Sequence, residues 1–279
     1  MVEEPGPPEP QEKPVGSKPL LPGKPRLELL VSSASESRLG LERLNQRKNF
    51  MKIVKNEQLI KRNAKIGSWT SLAAIVVLGF GMYISFTRME LISYTLASLV
   101  VGFILTQVGM YLGNKFGRSP RPDERLDAGL KGLPNEYSIY HYTTPVSHLL
   151  VGPAGIWVLK PYHQRGLVTY SKNRWRIGGG GFLQSYMRIF GQEGLGRPDI
   201  DVESEIDSLR KYLLKHMDEP GLPEINALIV FTSDNVEIEA EDAPVGTIKL
   251  KQLKEFIRQK AKERKISADR LVEIKSALE

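Results

Sequence analysis

The chain has 279 residues, with 39 Lys and Arg against 32 Asp and Glu for a net charge of +7, and no cysteine. The missing cysteine excludes disulfides and thiolate metal sites and fits a reducing compartment. The positive charge is local: residues 37–65 hold nine Lys/Arg against two Glu, whereas residues 119–262 hold 19 basic and 19 acidic residues. A nucleic-acid binder with an overall basic domain is therefore not what the composition describes.

Residues 1–28 are a Pro/Glu/Lys/Gly mixture with no apolar run, so a disordered Pro-rich tail is expected over 1–34, without the apolar core of a signal peptide. Leu39, Leu41, Leu44, Phe50, Ile53, Val54 and Ile60 then recur among cations at roughly helical spacing. That spacing predicts a basic amphipathic juxtamembrane helix over 35–65. Its cations between 38 and 65 suit anionic lipid headgroups, at about 1 kcal/mol each near the surface.

Two runs follow, Ile66–Thr87 and Leu91–Gly113, of 22 and 23 residues, neither with a single Asp, Glu, Lys, Arg or His. As helices each reaches about 33 Å, enough to cross a hydrocarbon core of about 30 Å. With only Arg88-Met89-Glu90 between them, the pattern predicts a transmembrane helical hairpin over 66–113, lodged in the lipid bilayer. Lys52, Lys55, Lys61, Arg62 and Lys65 precede it and Lys115, Arg118 and Arg121 follow it. That bias predicts a multi-pass protein of the cell membrane with both termini cytoplasmic. Spans without ionisable residues describe an anchor rather than a transport path. Gly81/Ser85, Ser98/Gly102 and Gly109/Gly113, each four apart, are expected to let the two helices approach closely.

Residues 119–279 predict one α/β domain. Asp123–Leu133 reads as a helix, then Tyr137–Tyr142, His148–Val151 and Ile156–Leu159 as strands, with a turn at Pro153-Ala154-Gly155. Leu167–Ser171 and Trp175–Ile177 read as a further strand pair, Asp201–Met217 as a helix, and Ala227–Phe231 and Thr247–Leu250 as strands. Leu253–Lys262 and a segment capped by Ser267 complete the helices. The Gly178–Gly181 run lacks a following Gly-Lys-Ser/Thr and reads as a loop rather than a phosphate cradle. It continues into the apolar run Phe182–Phe190, which packs on its own domain or meets a membrane or partner. The acidic stretch Asp234–Asp242 is expected to be a solvated loop.

The segment Ser147–Trp175 (SHLLVGPAGIWVLKPYHQRGLVTYSKNRW) carries His148, Gly152, Pro153, Gly155, Ile156, Trp157, Val158, Gly166 and Trp175 in an order that resembles the NERD (nuclease-related) domain. Arg197-Pro198 with the helix after it is similar to the family's Asn-Pro-x-x-Gln helix, and Pro223–Ile238 to its late strand. The resemblance covers most of residues 122–279. It implies a restriction-endonuclease-like α/β fold, a mixed sheet flanked by helices, preceded here by the two-helix hairpin.

In that family a divalent cation lies between an Asp on one strand and Glu-x-Lys on the next. Carried over by position, the Asp falls on Ser147, the Glu on Lys160, the Lys on Tyr162 and the downstream Gln on Asp201. Lys160 puts a cation where a Mg²⁺-binding carboxylate belongs, Ser147 offers one neutral oxygen, and Tyr162 adds no negative charge. The resemblance thus implies a pseudo-nuclease with no cofactor: a cytoplasm-facing anchored module that acts in binding or scaffolding.

Two alternatives stand beside it. One is a membrane-tethered, Mg²⁺-dependent nuclease whose acids have migrated to Asp123, Glu124, Asp199 or Asp201, at least two of which must then converge on the Ser147–Lys160 sheet. The other is a nucleic-acid binder that does not cleave. Lys160, His163 and Arg165, with His148 across the sheet, form either an anion pocket or a solvated loop with one satisfied His. His141, His148, His163 and His216 show no zinc spacing, and no residue pattern names a protein partner.

Overall fold

A computed structural model describes residues 50–178, 195–217 and 222–278. The expected tail, the first part of the expected juxtamembrane helix and the apolar run Phe182–Phe190 lie outside these residues.

The described chain opens with a strand, not with the helix expected over 35–65. β1 (Lys52–Lys55) pairs parallel with β2 (Ser138–His141), Lys52 opposite Ser138 and Lys55 opposite His141. Flanking bonds extend the pairing: Met51 N–H donates to Leu133 O at 3.2 Å, and Asn56 N–H donates to His141 O at 3.1 Å. Met51 is buried with Leu126, Leu130 and Leu133. A sheet edge and a core pocket therefore override the helical spacing, as tertiary context does for short segments. Helix formation begins only at Asn56, whose side-chain oxygen accepts from Leu59 N–H at 2.9 Å.

From there α1 (Glu57–Thr87) and α2 (Ile92–Leu112) run as a hairpin through a short 3₁₀ turn, Met89–Leu91. Both legs are long and apolar enough to cross a membrane, and only 17% and 6% of their most apolar windows are buried. That separates them from core helices of a globular domain. Trp69, Phe86 and Met89 are 63%, 80% and 83% exposed, which suits hydrocarbon and not water.

The legs meet along small residues. Gly67, Ala74 and Gly81 are buried at intervals of seven on α1, as are Gly102 and Gly109 on α2, the repeat of a left-handed helix pair. A Cβ at Gly81 would lie 1.7 Å from Ser98 Oγ, and one at Gly109 would lie 2.3 Å from Ser71 Oγ. Of the four-residue pairs expected from sequence only Ser85 is exposed, and Gly113 N lies 3.2 Å from a Cβ built on Gly67. A π turn, Gly113–Gly117, then leads to α3 (Pro122–Leu130).

The remaining strands are β3 (His148–Gly152), β4 (Gly155–Tyr162), β5 (Gly166–Ser171) and β6 (Arg174–Gly178). After α4 (Pro198–Leu213) come β7 (Ile225–Phe231), β8 (Val236–Glu239), β9 (Gly246–Lys249), α5 (Leu250–Glu263) and α6 (Ala268–Leu278). The main sheet is mixed, in the order β1-β2-β3-β4-β7-β9, and β6-β5-β8 form a second, three-stranded sheet. β2, β3 and β4 are antiparallel, whereas β4, β7 and β9 run parallel. Alternation sorts their side chains. Trp157 and Leu159 join Leu126, Leu253 and Ile257 on one face, and Ile156 and Val158 join Leu209, Leu213 and Ile274 on the other. The expected mixed sheet flanked by helices is thus present.

The expected acidic loop at 234–242 is corrected, since Val236–Glu239 pairs parallel with β5. The Val-Glu-Ile-Glu alternation turns Val236 into the core and leaves both carboxylates outward. In the β3–β4 turn Gly155 has φ +109, a conformation open to glycine.

The seam yields a first prediction. Gly81→Val should lower the thermal stability of the detergent-solubilised chain by an overpacking cost of about 1–3 kcal/mol. Gly79→Val, where nothing lies within 4 Å, should leave the unfolding temperature unchanged; equal losses in both would refute the seam.

Candidate functional site

Where the hairpin joins the sheet, register sets three side chains in a row: Lys55 on β1, His141 on β2 and His148 on β3. α3 lies over them. Pro122 starts this helix, and Glu124 closes its first turn by accepting from Arg121 N–H at 2.9 Å. Asp123 and Asp127, four residues apart, then share the face turned to Lys55. Lys55 Nζ bonds to Asp123 Oδ2 at 3.0 Å and to Asp127 Oδ2. Arg121 Nε donates to Asp123 Oδ1 at 3.0 Å. Asp127 Oδ1 lies 3.0 Å from His141 Nε2, and the two Nδ1 atoms of His141 and His148 lie 2.8 Å apart.

Each proton affinity follows from these neighbours. Burial alone would raise the Asp123 carboxyl, but its bonds from Arg121 and Lys55 outweigh this and bring it down to about 2. Burial opposes charge on Lys55 too, yet the two carboxylates raise its pKa. His148 is held well below the usual imidazole range by burial, then by the charges of His141, Lys115 and Lys160. It is a neutral imidazole at pH 7.

The row is also the hairpin's footing. Tyr142 stacks edge-on against His148 at 5.0 Å between ring centroids and against Phe116 of the π turn at 5.1 Å. Ile60 of α1 is buried with the same pair. Lys115 Nζ lies 5.8, 5.5 and 5.7 Å from the ring centroids of Tyr111, Phe116 and Tyr142, and 3.4 Å from Ser147 Oγ.

The positions that the resemblance assigns to metal chemistry are differently furnished. Ser147 precedes β3, at the register opposite Lys160 on β4. Lys160 Nζ is bound to Glu205 Oε1 of α4 at 2.5 Å. Tyr162 packs on Phe231, and burial together with Asp201, Glu205 and Asp199 raises its phenol, which stays protonated. A hydroxyl, a paired ammonium and a phenol do not fit Mg²⁺, which wants anionic oxygen.

The retained acids fall in two places, Asp123 and Glu124 on α3 and Asp199 and Asp201 in the first turn of α4 near Tyr162. Asp123 faces Lys55 and Arg121, Glu124 faces Ser119 and Arg121, Asp199 faces Arg197, and Asp201 is exposed. Among the described residues no group of three or more His, Asp and Glu is arranged to hold a metal ion.

Of the two readings of Lys160, His163, Arg165 and His148, the geometry matches the solvated loop with one satisfied His, since His163 and Arg165 are exposed and His148 is buried against His141. Lys160 pairs with Glu205, His148 faces His141, and His163 Nδ1 lies 3.1 Å from an Arg125 nitrogen and 3.2 Å from Thr232 Oγ1. Sequence reasoning missed Lys55, Asp127, His141, Tyr142 and Glu205. The available signals were the four-residue spacings Asp123/Asp127 and Asp201/Glu205.

Two predictions follow from the geometry. Lys55→Met strands Asp123 and Asp127 against the sheet and should destabilise the chain by about 3 kcal/mol in denaturant titrations; a loss within experimental error would mean that the pair is solvated.

Acid should act in two stages. Unfolded chains take up His protons that His148 refuses, so stability should fall once pH drops below about 6.5. Below about pH 4 the Asp123 contribution of about 2 kcal/mol should be lost progressively toward pH 2. His148→Gln should flatten the first stage and Asp123→Asn the second, as read by unfolding temperature against pH.

Comparison of the chain with protein-family models, curated proteins and solved structures finds no match.

Proposed function

We propose that this chain is a membrane-anchored, cytoplasm-facing module on a nuclease-related framework, which binds or scaffolds and does not cleave. The observation that carries the reading is the 2.5 Å pair between Lys160 Nζ and Glu205 Oε1. The resemblance puts a metal-binding Glu at position 160. An ammonium there repels a divalent cation and occupies its space, and Glu205 neutralises the ammonium rather than a metal. Ser147 supplies no charge to replace what is lost. The mixed sheet flanked by helices agrees with a restriction-endonuclease-like core but would serve many activities, so the reading rests on the site.

Two long apolar legs support a bilayer anchor. Lys61, Arg62 and Lys65 at the start of α1 and Lys115 and Arg118 after α2 outnumber Arg88 in the turn. They favour a cell-membrane protein with both termini and the domain on the cytoplasmic side, its cations near 38–65 against anionic headgroups.

The test is a cleavage assay on the full chain in nanodiscs, using single- and double-stranded DNA and RNA with Mg²⁺ or Mn²⁺, beside calorimetric titration of each metal. The expected result is no divalent-dependent cleavage and no metal heat. Cleavage that disappears in a folded Asp123→Asn or Asp201→Asn chain would overturn the reading in favour of a nuclease with migrated acids.

A further inference from the structure

We propose that Lys115, Tyr142 and Ser147, where the second leg of the hairpin meets the sheet, bind a phosphate oxyanion. The proposal rests on the anchored, non-cleaving reading above and names the ligand chemistry of that module.

The first observation is a charge without a carboxylate. Among the described residues Asp123 is held by Lys55 and Arg121, Asp127 by Lys55 and His141, Glu124 by Arg121 and Glu205 by Lys160. Lys115 has none of them within ion-pair distance. Its ammonium lies among three aromatic rings, with the Ser147 hydroxyl 3.4 Å away. Ring faces steady a cation without neutralising it, so the Lys115 ammonium keeps its own charge without a carboxylate partner.

The second observation is a hydroxyl without a partner. Tyr142 is 9% exposed and its Oη is buried with no hydrogen-bond partner among the described residues. Buried polar groups are nearly always paired, and the ring that carries this one lies 5.7 Å from the Lys115 ammonium. Burial, then the charge of Asp123, pushes the phenol above its usual range, so it is a donor at neutral pH. The same tyrosine has φ 58, a costly conformation for an aromatic residue that the surrounding packing enforces.

Ammonium, phenol and alkyl hydroxyl therefore come from three different segments, the π turn, the end of β2 and the start of β3. A tetrahedral oxyanion can accept from all three at once. Lysine serves phosphate as a point charge without demanding planar geometry. Lys115 stands two residues beyond the apolar run that ends at Gly113, at the depth of headgroup phosphates. The phosphate of a lipid headgroup and a soluble phosphate share this chemistry.

Two arms distinguish the sources. In one, the full chain is assembled in phosphatidylcholine nanodiscs containing phosphatidic acid, released into detergent, and its retained lipid is counted by native mass spectrometry. In the other, inorganic phosphate is titrated calorimetrically into the chain in pure phosphatidylcholine nanodiscs. Retention of phosphatidic acid identifies a headgroup, and heat from inorganic phosphate identifies a soluble ligand.

In whichever arm responds, Lys115→Gln and Tyr142→Phe should each weaken binding about tenfold. Tyr142→Phe keeps its ring against Phe116 and His148, so its unfolding temperature should match the parent; Ser147→Ala gives a second variant with little effect on packing. Lys61→Gln, on the exposed pair with Glu57, should bind like the parent. Undiminished binding in Lys115→Gln and Tyr142→Phe, or no response in either arm, overturns the proposal. Divalent-dependent cleavage in the nuclease assay would remove the non-cleaving reading by a separate measurement.

Discussion

Asn56 donates its N–H to His141 O and caps α1 through its side chain, so the last residue tied to the sheet is also the first of the hairpin. Everything else about how the apolar legs and the domain are joined depends on that bond and on the four pairs of β1 with β2. A hairpin that merely preceded a domain would hang from a linker. Here Met51 and β1 lie before the legs and α3 after them, and Met51 packs in the same core as Leu126 and Leu130 of α3. The hairpin is thus an insertion within the domain's own fold. Six strands rather than five cover the core, and removing the residues before α1 would expose the β2 edge.

The polar row under α3 follows from the same arrangement. Lys55 reaches the sheet's inner side only because β1 is a strand; in a helix over 35–65 it would have been one more solvated cation. Once there, it must be neutralised, and Asp123 and Asp127 do so from one helix face. Buried ion pairs of this kind contribute little net stability, because desolvation offsets attraction. Their effect is on specificity: an α3 shifted by one turn of four residues would leave Lys55 one carboxylate instead of two, with Ser119 or Lys131 in the other place.

Strand alternation, helical spacing and long apolar runs are local signals, and the hairpin, the β2–β4 meander and the helices were legible from them. β1 was not, because its four residues pair with a strand more than eighty positions away and its apolar residues also fit a helical period. β8 was hidden by its acids, although Val236 and Ile238 alternate as a strand requires. The candidate site was half legible. Ser147 and Lys160 fall opposite each other by a register that the Gly-Pro-x-Gly turn sets. Glu205 and Lys55 reach their partners across 45 and 68 residues, and no spacing in the sequence reports such contacts.

The two legs of the hairpin end on one cluster. The first enters through β1 and Lys55; the second leaves through Phe116, Lys115 and Arg121. Lys55 and Arg121 share Asp123, while Phe116 reaches His148 through Tyr142. A tilt of the hairpin against the sheet would therefore have to separate Lys55 from Asp123 and Asp127, or slide Phe116 off Tyr142. Neither can happen gradually, since a buried charge half withdrawn from its partner is worse off than one fully paired or fully solvated. The joint has the physics of a latch rather than a spring. A phosphate bound between Lys115 and Tyr142 would sit on the second leg's half of that latch, giving the Lys115 ammonium an anionic partner and holding the leg against the sheet.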